Sequence, residues 1–333
     1  MKTIIGINGF GRIGRLVLRA LIERKETDIC VGAINDLTDP ETLAHLYNFD
    51  SVHGPAAIKM TVVNGNLVLN QRTIVVSKCP NPSDIPWSNQ GVTMVFECAG
   101  RFASRDAAAA HLRGTVGKVI ISAPGKDVDN TVVYGVNHHS LTAAHAVISN
   151  ASCTTNCLAP VALVLDKTVG IERGYMTTIH GYTADQRLVD TAHSDLRRAR
   201  AGALSMIPTS TGAAKAVGLV LPKLKGKIDG CAIRVPTPNV SAIDFTFTAA
   251  QDTSIEEIND AFIAAATNDL KGVLAVNHEP LVSIDFTHRA ESSIVDLDQT
   301  QVVDKRFVRV FSWYDNEWGF SNRMIDTAKA WPA

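Results

Sequence analysis

Cysteine is scarce here: six residues in a chain of 333, with no CxxC pair and no Cys/His spacing of the zinc-binding kind. A disulfide-built scaffold is excluded, no metal is expected, and the thiols are read as reduced, one of them available for chemistry. An excess of either charge is also missing, since 32 basic residues face 33 acidic ones for a formal charge of -1. Such balance leaves no broad footprint for an anionic membrane or a nucleic-acid backbone, so no dedicated nucleic-acid binding is expected. No apolar run approaches the roughly 18 residues of a bilayer span. The opening MKTIIGINGFGR enters a glycine loop too early for a signal peptide, and the chain reads as cytoplasmic with no membrane contact. Internal repeats and low-complexity segments are absent as well. What is present is an ordinary globular composition, 46% hydrophobic, in a chain long enough to predict two domains.

The first segment, Lys2 to Asn8, is a β-prone run that stops at Gly9-Phe10-Gly11-Arg12-Ile13-Gly14. From Arg15 the apolar period becomes helical, ending near Glu23-Arg24-Lys25, and a second run from Ile29 to Ile34 closes with Asn35-Asp36. Strand, glycine turn, helix, strand and acidic residue make one βαβ unit. Further strands are expected at Val92 to Phe96, Val119 to Ser122 and Ala146 to Ser149, with an alanine-rich helix over Arg105 to Arg113 between them. This alternation predicts a mainly parallel sheet of Rossmann type covered by helices. Short β-like pieces at Ala57 to Val62 and Leu67 to Val76 interrupt the rhythm as a hairpin or insertion. After Asn150 the strands lengthen and alternate, as in Val240 to Ala249 and Phe307 to Tyr314, with helices at Ser210 to Leu221 and Ile255 to Asp269. The fold class is therefore α/β, with a second, α+β domain built on a mixed, largely antiparallel sheet. Gly319 to Ala330 reads as a final helix that periodicity assigns to neither domain.

Gly9, Gly11 and Gly14 match GxGxxG after a strand and at the opening of a helix. The first glycine permits a tight turn, the second a close approach of pyrophosphate to the backbone, and the third close helix-strand packing. Asp36 lies at the end of the second strand, where a carboxylate accepts hydrogen bonds from an adenosine ribose and repels a 2'-phosphate. NAD is favoured over NADP.

A second chemical signal is Ser149-Asn150-Ala151-Ser152-Cys153-Thr154-Thr155-Asn156-Cys157, between a predicted strand and an apolar helical stretch. Hydroxyl residues there cap a helix start, which sets Cys153 at the positive end of a helix dipole and favours its thiolate. Backbone N–H groups around it can hold an oxyanion formed when the sulfur attacks a carbonyl. Cys157 falls one turn deeper and is not the primary nucleophile. His180, ending the β-like run from Tyr175, is the candidate proton acceptor for Cys153. His138-His139 lacks a third ligand and reads as surface.

NGFGRIGR at 8 to 15, SNASCTTNCLAP at 149 to 160, PTSTGAAKAV at 208 to 217, RVPTPNVS at 234 to 241 and WYDNEWG at 313 to 319 closely resemble phosphorylating glyceraldehyde-3-phosphate dehydrogenase. The resemblance covers essentially the whole chain. It implies oxidation of glyceraldehyde 3-phosphate with NAD and inorganic phosphate to 1,3-bisphosphoglycerate, within glycolysis or its reverse. Cys153 is then the nucleophile that forms a thiohemiacetal, and His180 the base that assists hydride transfer. Ser152, Thr154, Thr183, Arg198, Thr211, Gly212 and Arg234 match positions that hold the substrate phosphate and the attacking phosphate. Arg12, Ile13, Asp36, Lys78, Ser122 and Asn316 match cofactor contacts, beside Gly9, Gly11 and Gly14. A homotetramer is implied, with a first domain of 1–150 joined by the terminal helix 317–333, and a catalytic domain of 151–316.

Some positions depart from the family pattern. Thr191-Ala192 replaces a Leu-Pro common in strongly NAD-selective members, which leaves some use of NADP open. Ala99 and Phe320 each lose a hydroxyl. Two rival readings remain: erythrose-4-phosphate dehydrogenase, which shares the nucleophile and the DNEWGF at 315 to 320, and a non-enzymatic redox-sensing, RNA-binding or adhesion role drawing on Cys153 or the basic 197–200 stretch.

Overall fold

The computed structural model describes residues 2–332. The chain clusters into two compact units: the chain up to Val132 with His138–Ala151 and the chain from Ser321 on, and Val133–Asn137 with Ser152–Phe320.

The first unit is built on a nine-stranded sheet. Its order is Asn130–Thr131, Val147–Ser149, Lys118–Ile121, Met94–Glu97, Thr3–Asn8, Ile29–Asn35, Arg72–Ser77, Asn66–Leu69, Thr61–Val63. All neighbours pair in parallel except the last two strands, which close an antiparallel meander. The central strands are apolar and inaccessible, with Ile5, Ile7, Val95 and Phe96 at 0% exposure, as a sheet covered on both faces demands. Gly6 interrupts this run for a steric reason. A Cβ there would lie 2.6 Å from the Trp87 ring, which packs over the strand. Chain order reverses beside Thr3–Asn8, so the carboxyl ends at Asn8, Asn35 and Glu97 open a crevice at a topological switch point.

Element boundaries differ from the sequence expectation in instructive ways. The first helix starts at Arg12 rather than Arg15. The alanine-rich helix spans only Arg105–Ala109, because His111 turns inward to bond Trp87 and Glu97 instead of continuing the helical face. The interrupting region contains three strands, one of which, Arg72–Ser77, joins the parallel sheet. A helix at Pro40–Asn48 was not anticipated, although its signals are local: Pro40 at the first position, and Asp39 accepting from Thr42 N–H at 2.8 Å as the cap.

In the second unit the sheet runs Ile207–Ser210, Ile228–Val235, Ile171–Gly181, Ser241–Ala249, Phe307–Tyr314, Ser293–Asp296, Leu274–Asn277. Pairing is mixed and largely antiparallel, with parallel pairs between Ile171–Gly181 and Ile228–Val235 and between the last two strands. Alternation sorts the faces: Phe245, Phe247, Val308 and Val310 are buried, while Arg309 turns the other way to grip Asp244 at 2.9 Å. Helices Cys153–Thr168, Ala213–Val220 and Ile255–Thr267 belong to this unit.

Candidate functional site

In the first unit, a cleft of about 260 Å³ opens at the switch point and is lined by Gly9, Gly11, Asp36 and Ala99 among others. The three glycines divide their work as the motif predicts. Gly9 has φ +87°, and a Cβ on it would strike Ala99 at 2.6 Å; a Cβ on Gly14 would meet the Gly9 carbonyl at 2.3 Å. Gly11 differs, since nothing lies within 4 Å of its would-be Cβ, and the helix behind it carries no side-chain cap and no acid in its first turn. Open space before uncapped N–H groups fits a pyrophosphate. Asp36 Oδ2 accepts from Phe10 N–H at 2.7 Å and Oδ1 from Thr38 N–H at 2.9 Å, which fixes the carboxylate at the cleft edge. Its charge therefore also holds the glycine turn, a role the sequence did not reveal.

Other expected cofactor contacts scatter more widely around this centre. Ile13 is half-buried. Arg12 commits its guanidinium to Asp50 at 2.5 Å, and that ion pair with two backbone donors holds the Asp50 carboxyl down at about 2 against the cost of burial. Lys78 is exposed, near enough to Asp39 for its charge to be felt there. Ser122 sits beside Cys98, whose thiol is pushed up to about 12 by burial.

The second unit brings cysteine and histidine together. Ser152 caps the helix Cys153–Thr168, its Oγ accepting from Thr155 N–H at 3.0 Å, so Cys153 occupies the first helical position. His180 stands next to last on the strand Ile171–Gly181, and its Nε2 lies 3.5 Å from Cys153 Sγ. Across the parallel pair, His180 is in register with Arg234. Gly181 O, which can only accept, lies 2.7 Å from His180 Nδ1, so Nδ1 carries the proton and Nε2 turns its lone pair toward sulfur. Arg234 Nη1, 2.9 Å from Nδ1, directs its hydrogen to the same carbonyl at 3.1 Å.

Electrostatics correct one expectation. The helix start alone does not make a thiolate: burial pushes the Cys153 thiol up, opposed by Arg234 and by donors of Thr154. Burial and then Arg234 hold His180 down at about 3. Each charge alone is disfavoured, so charge arises at both atoms together when the proton crosses from Sγ to Nε2. Cys157 is fully buried against Ser293 Oγ at 3.4 Å, with its thiol pushed up to about 12.

Arg234 stands beside the Cys153–His180 pair, and its buried Nε has no hydrogen-bond partner among the described residues. Arg198 lies within electrostatic reach of both Arg234 and His180, but it is engaged by Asp185 at 2.5 Å and by Thr209 Oγ1 at 3.0 Å. Arg197, its neighbour in register, is exposed. Thr211 and the exposed Gly212 precede the helix Ala213–Val220, and Thr183 N–H is bonded to Gln186. Thr154 is turned inward: its hydroxyl bonds Tyr314 at 2.8 Å, and Tyr314 bonds Thr178 at 2.8 Å. Asn316 accepts from Ser241 Oγ, which in turn accepts from Gly181 N–H. Tyr314 and Ser241 were not anticipated, since nothing local in the sequence links them to positions sixty or more residues away. His138 and His139, expected on the surface, are half-buried.

A two-unit α/β fold with a dinucleotide crevice and a cysteine-histidine centre defines an NAD-dependent oxidoreductase. Family models match both parts of the chain: glyceraldehyde 3-phosphate dehydrogenase, NAD binding domain, over residues 3–105, and glyceraldehyde 3-phosphate dehydrogenase, C-terminal domain, over residues 152–316. The chain is 60% identical over 330 residues to a glyceraldehyde-3-phosphate dehydrogenase of Xanthobacter flavus, covering 99% of this chain and 98% of that one. It is 59% identical over 330 residues to that of Cereibacter sphaeroides with the same coverage. Against glyceraldehyde-3-phosphate dehydrogenase 1 of Bacillus cereus it is 54% identical over 327 residues, covering 98% and 97%. The chain belongs to the glyceraldehyde-3-phosphate dehydrogenase family.

Proposed function

We propose that this protein oxidises glyceraldehyde 3-phosphate to 1,3-bisphosphoglycerate with NAD and inorganic phosphate, in glycolysis or its reverse, through a covalent adduct on Cys153. The observation that carries the reading is the 3.5 Å approach of Sγ to an unprotonated Nε2, beside an arginine whose buried Nε lacks a partner. Cys153 passes its proton to His180 Nε2 and its sulfur adds to the aldehyde carbon. The resulting thiohemiacetal oxyanion is held by the helix-start N–H groups and takes the proton that His180 Nε2 acquired, which gives the hydroxyl and returns the ring to neutral. His180 then takes the thiohemiacetal hydroxyl proton as the carbonyl re-forms. NAD, when bound, supplies the acceptor for the hydride lost from that carbon. Phosphate attacks the thioester left on Cys153, and the sulfur departs as thiolate.

Arg234 is the cation for the phosphate groups, with Arg198, Thr183, Ser152, Thr154, Thr211 and Gly212 around it. Thr154 contributes through its backbone, since its hydroxyl is bonded to Tyr314. Gly9, Gly11, Arg12, Ile13, Gly14, Asp36, Lys78, Ser122 and Asn316 form the cofactor set, Arg12 through its main chain because its side chain is held by Asp50. The functional domains are proposed as 1–150 with 317–333, and 151–316, close to the compact units, which instead divide after Ala151 and at Ser321 and give Val133–Asn137 to the second.

A homotetramer in the cytoplasm completes the proposal. Leu188, Leu196, Leu204 and Met206 are 83%, 80%, 85% and 74% exposed within one loop region, an apolar surface suited to a second copy. No described helix is long and apolar enough to cross a membrane. The basic stretch 197–200 is largely neutralised, Arg198 by Asp185 and Arg200 by Asp190, which disfavours an RNA-binding role. Spectrophotometric turnover with and without phosphate, and with NAD against NADP, tests the reaction; sedimentation tests the assembly.

A further inference from the structure

Beneath the cleft of the first unit lies a hydrogen-bonded chain that the proposed chemistry does not use. Glu97 is 1% exposed and His111 is 0% exposed. Trp87 Nε1, which can only donate, lies 3.1 Å from His111 Nδ1. Nδ1 therefore accepts, and the ring carries its proton on Nε2, which donates to Glu97 Oε2 at 2.9 Å. The ring is neutral, because a proton on Nδ1 would set two donors against each other.

The carboxylate then reaches upward to both walls of the cleft. Asn8 Nδ2 donates to Oε2 at 2.6 Å, and Ala99 N–H donates to Oε1 at 2.8 Å. Asn8 immediately precedes Gly9, and Ala99 is the backbone on which Gly9 rests. Asn8 Oδ1 accepts in turn from Asn35 Nδ2 at 2.8 Å, one residue before Asp36. A buried carboxylate persists only where donors converge on it, so its position is over-determined and fixes whatever it holds.

We infer that the Trp87–His111–Glu97 chain is a positioning device for the dinucleotide: it fixes the spacing between the glycine turn and the loop 98–102 before the ligand arrives. The inference rests on the reading of this cleft as the dinucleotide site. Preorganisation of this kind acts on affinity and leaves the chemical step alone.

The test compares full-length wild type with His111→Gln, His111→Leu, Trp87→Phe and Asp36→Asn, by calorimetric titration with NAD and with ADP-ribose and by steady-state kinetics. Glutamine keeps a donor toward Glu97 and an acceptor toward Trp87; leucine keeps neither. His111→Leu is expected to bind both ligands about 10-fold more weakly, with kcat at saturating NAD within about 2-fold, while His111→Gln stays within about 2-fold of wild type. Unchanged affinity in His111→Leu, equal weakening in both variants, or a parallel fall in kcat overturns the inference. Should His111→Leu not fold, Trp87→Phe removes only the donor to Nδ1 and is expected to weaken NAD about 3-fold, and no change there is equally contrary. Asp36→Asn separates the two readings. If it alone alters dinucleotide binding, the positioning role fails; if none of the variants does, the cleft is not the dinucleotide site.

Discussion

His180 and Arg234 stand opposite each other on neighbouring parallel strands, and Arg234 Nη1 lies 2.9 Å from the His180 nitrogen that faces away from Cys153. This pairing gives one side chain two effects. The guanidinium draws the Cys153 thiol toward its anion and opposes a charge on the imidazole, while its buried Nε remains available to an anion from outside. Proton transfer across the 3.5 Å contact is helped by the first effect and opposed by the second, so the imidazolium forms only with the thiolate beside it to offset its charge.

Replacing His180 by Asn should leave folding and NAD binding intact while slowing acylation. Without Nε2 as acceptor, Cys153 must ionise alone against its burial, so alkylation by iodoacetamide should require higher pH. Rate against pH checks this; an unshifted profile means that His180 does not activate the thiol.

Arg234→Gln removes the guanidinium whose buried Nε has no hydrogen-bond partner among the described residues, a change confined to the second unit. The apparent KM for phosphate and for the phosphorylated aldehyde should rise at least about 10-fold, as expected when a charge-assisted bond is lost. NAD affinity should hold. Phosphate dependence identical to wild type is the contrary outcome.

Asp36→Asn keeps an oxygen acceptor for Phe10 N–H but discards the charge that repels a 2'-phosphate. The NADP-to-NAD ratio of kcat/KM should rise by about 10-fold, the equivalent of roughly 1.4 kcal/mol. A constant ratio would remove Asp36 from cofactor selection.

Acid stability should register the Arg12–Asp50 pair. Asp50 lies below its ordinary value of 3.8, at about 2, so its contribution is full above pH 3.8 and is lost as pH falls through 2. Asp50→Asn should therefore cost on the order of 1–2 kcal/mol at pH 7, allowing for the half-exposed arginine, and progressively less toward pH 2. Urea midpoints across this range measure the difference; a penalty independent of pH would assign the effect to packing.

What the sequence disclosed was whatever is encoded within a few residues. The glycine turn, Asp36 at a strand end, the Ser152 cap and Cys153 behind it are all local, and the structure builds each of them. His180 was legible as a strand end, but its pairing with Arg234 depends on sheet register between residues 54 apart, and Tyr314 reaches Thr154 across 160. The Trp87–His111–Glu97 chain was hidden for a related reason. His111 sits in an alanine-rich run that reads as helix, and only tertiary contacts turn it inward. At Cys153 the helix dipole is visible in the sequence, whereas the desolvation that pushes its thiol up is set by packing.

The proposed chemistry turns on Cys153 carrying the aldehyde carbon until phosphate removes it. Its most direct test is spectrophotometric NADH formation from glyceraldehyde 3-phosphate by wild type and Cys153→Ser, each with and without inorganic phosphate. Sustained turnover is expected only in wild type with phosphate, with a burst limited to one equivalent per active site when phosphate is withheld. Turnover that survives in Cys153→Ser, or that proceeds without phosphate and faster on erythrose 4-phosphate, would contradict it.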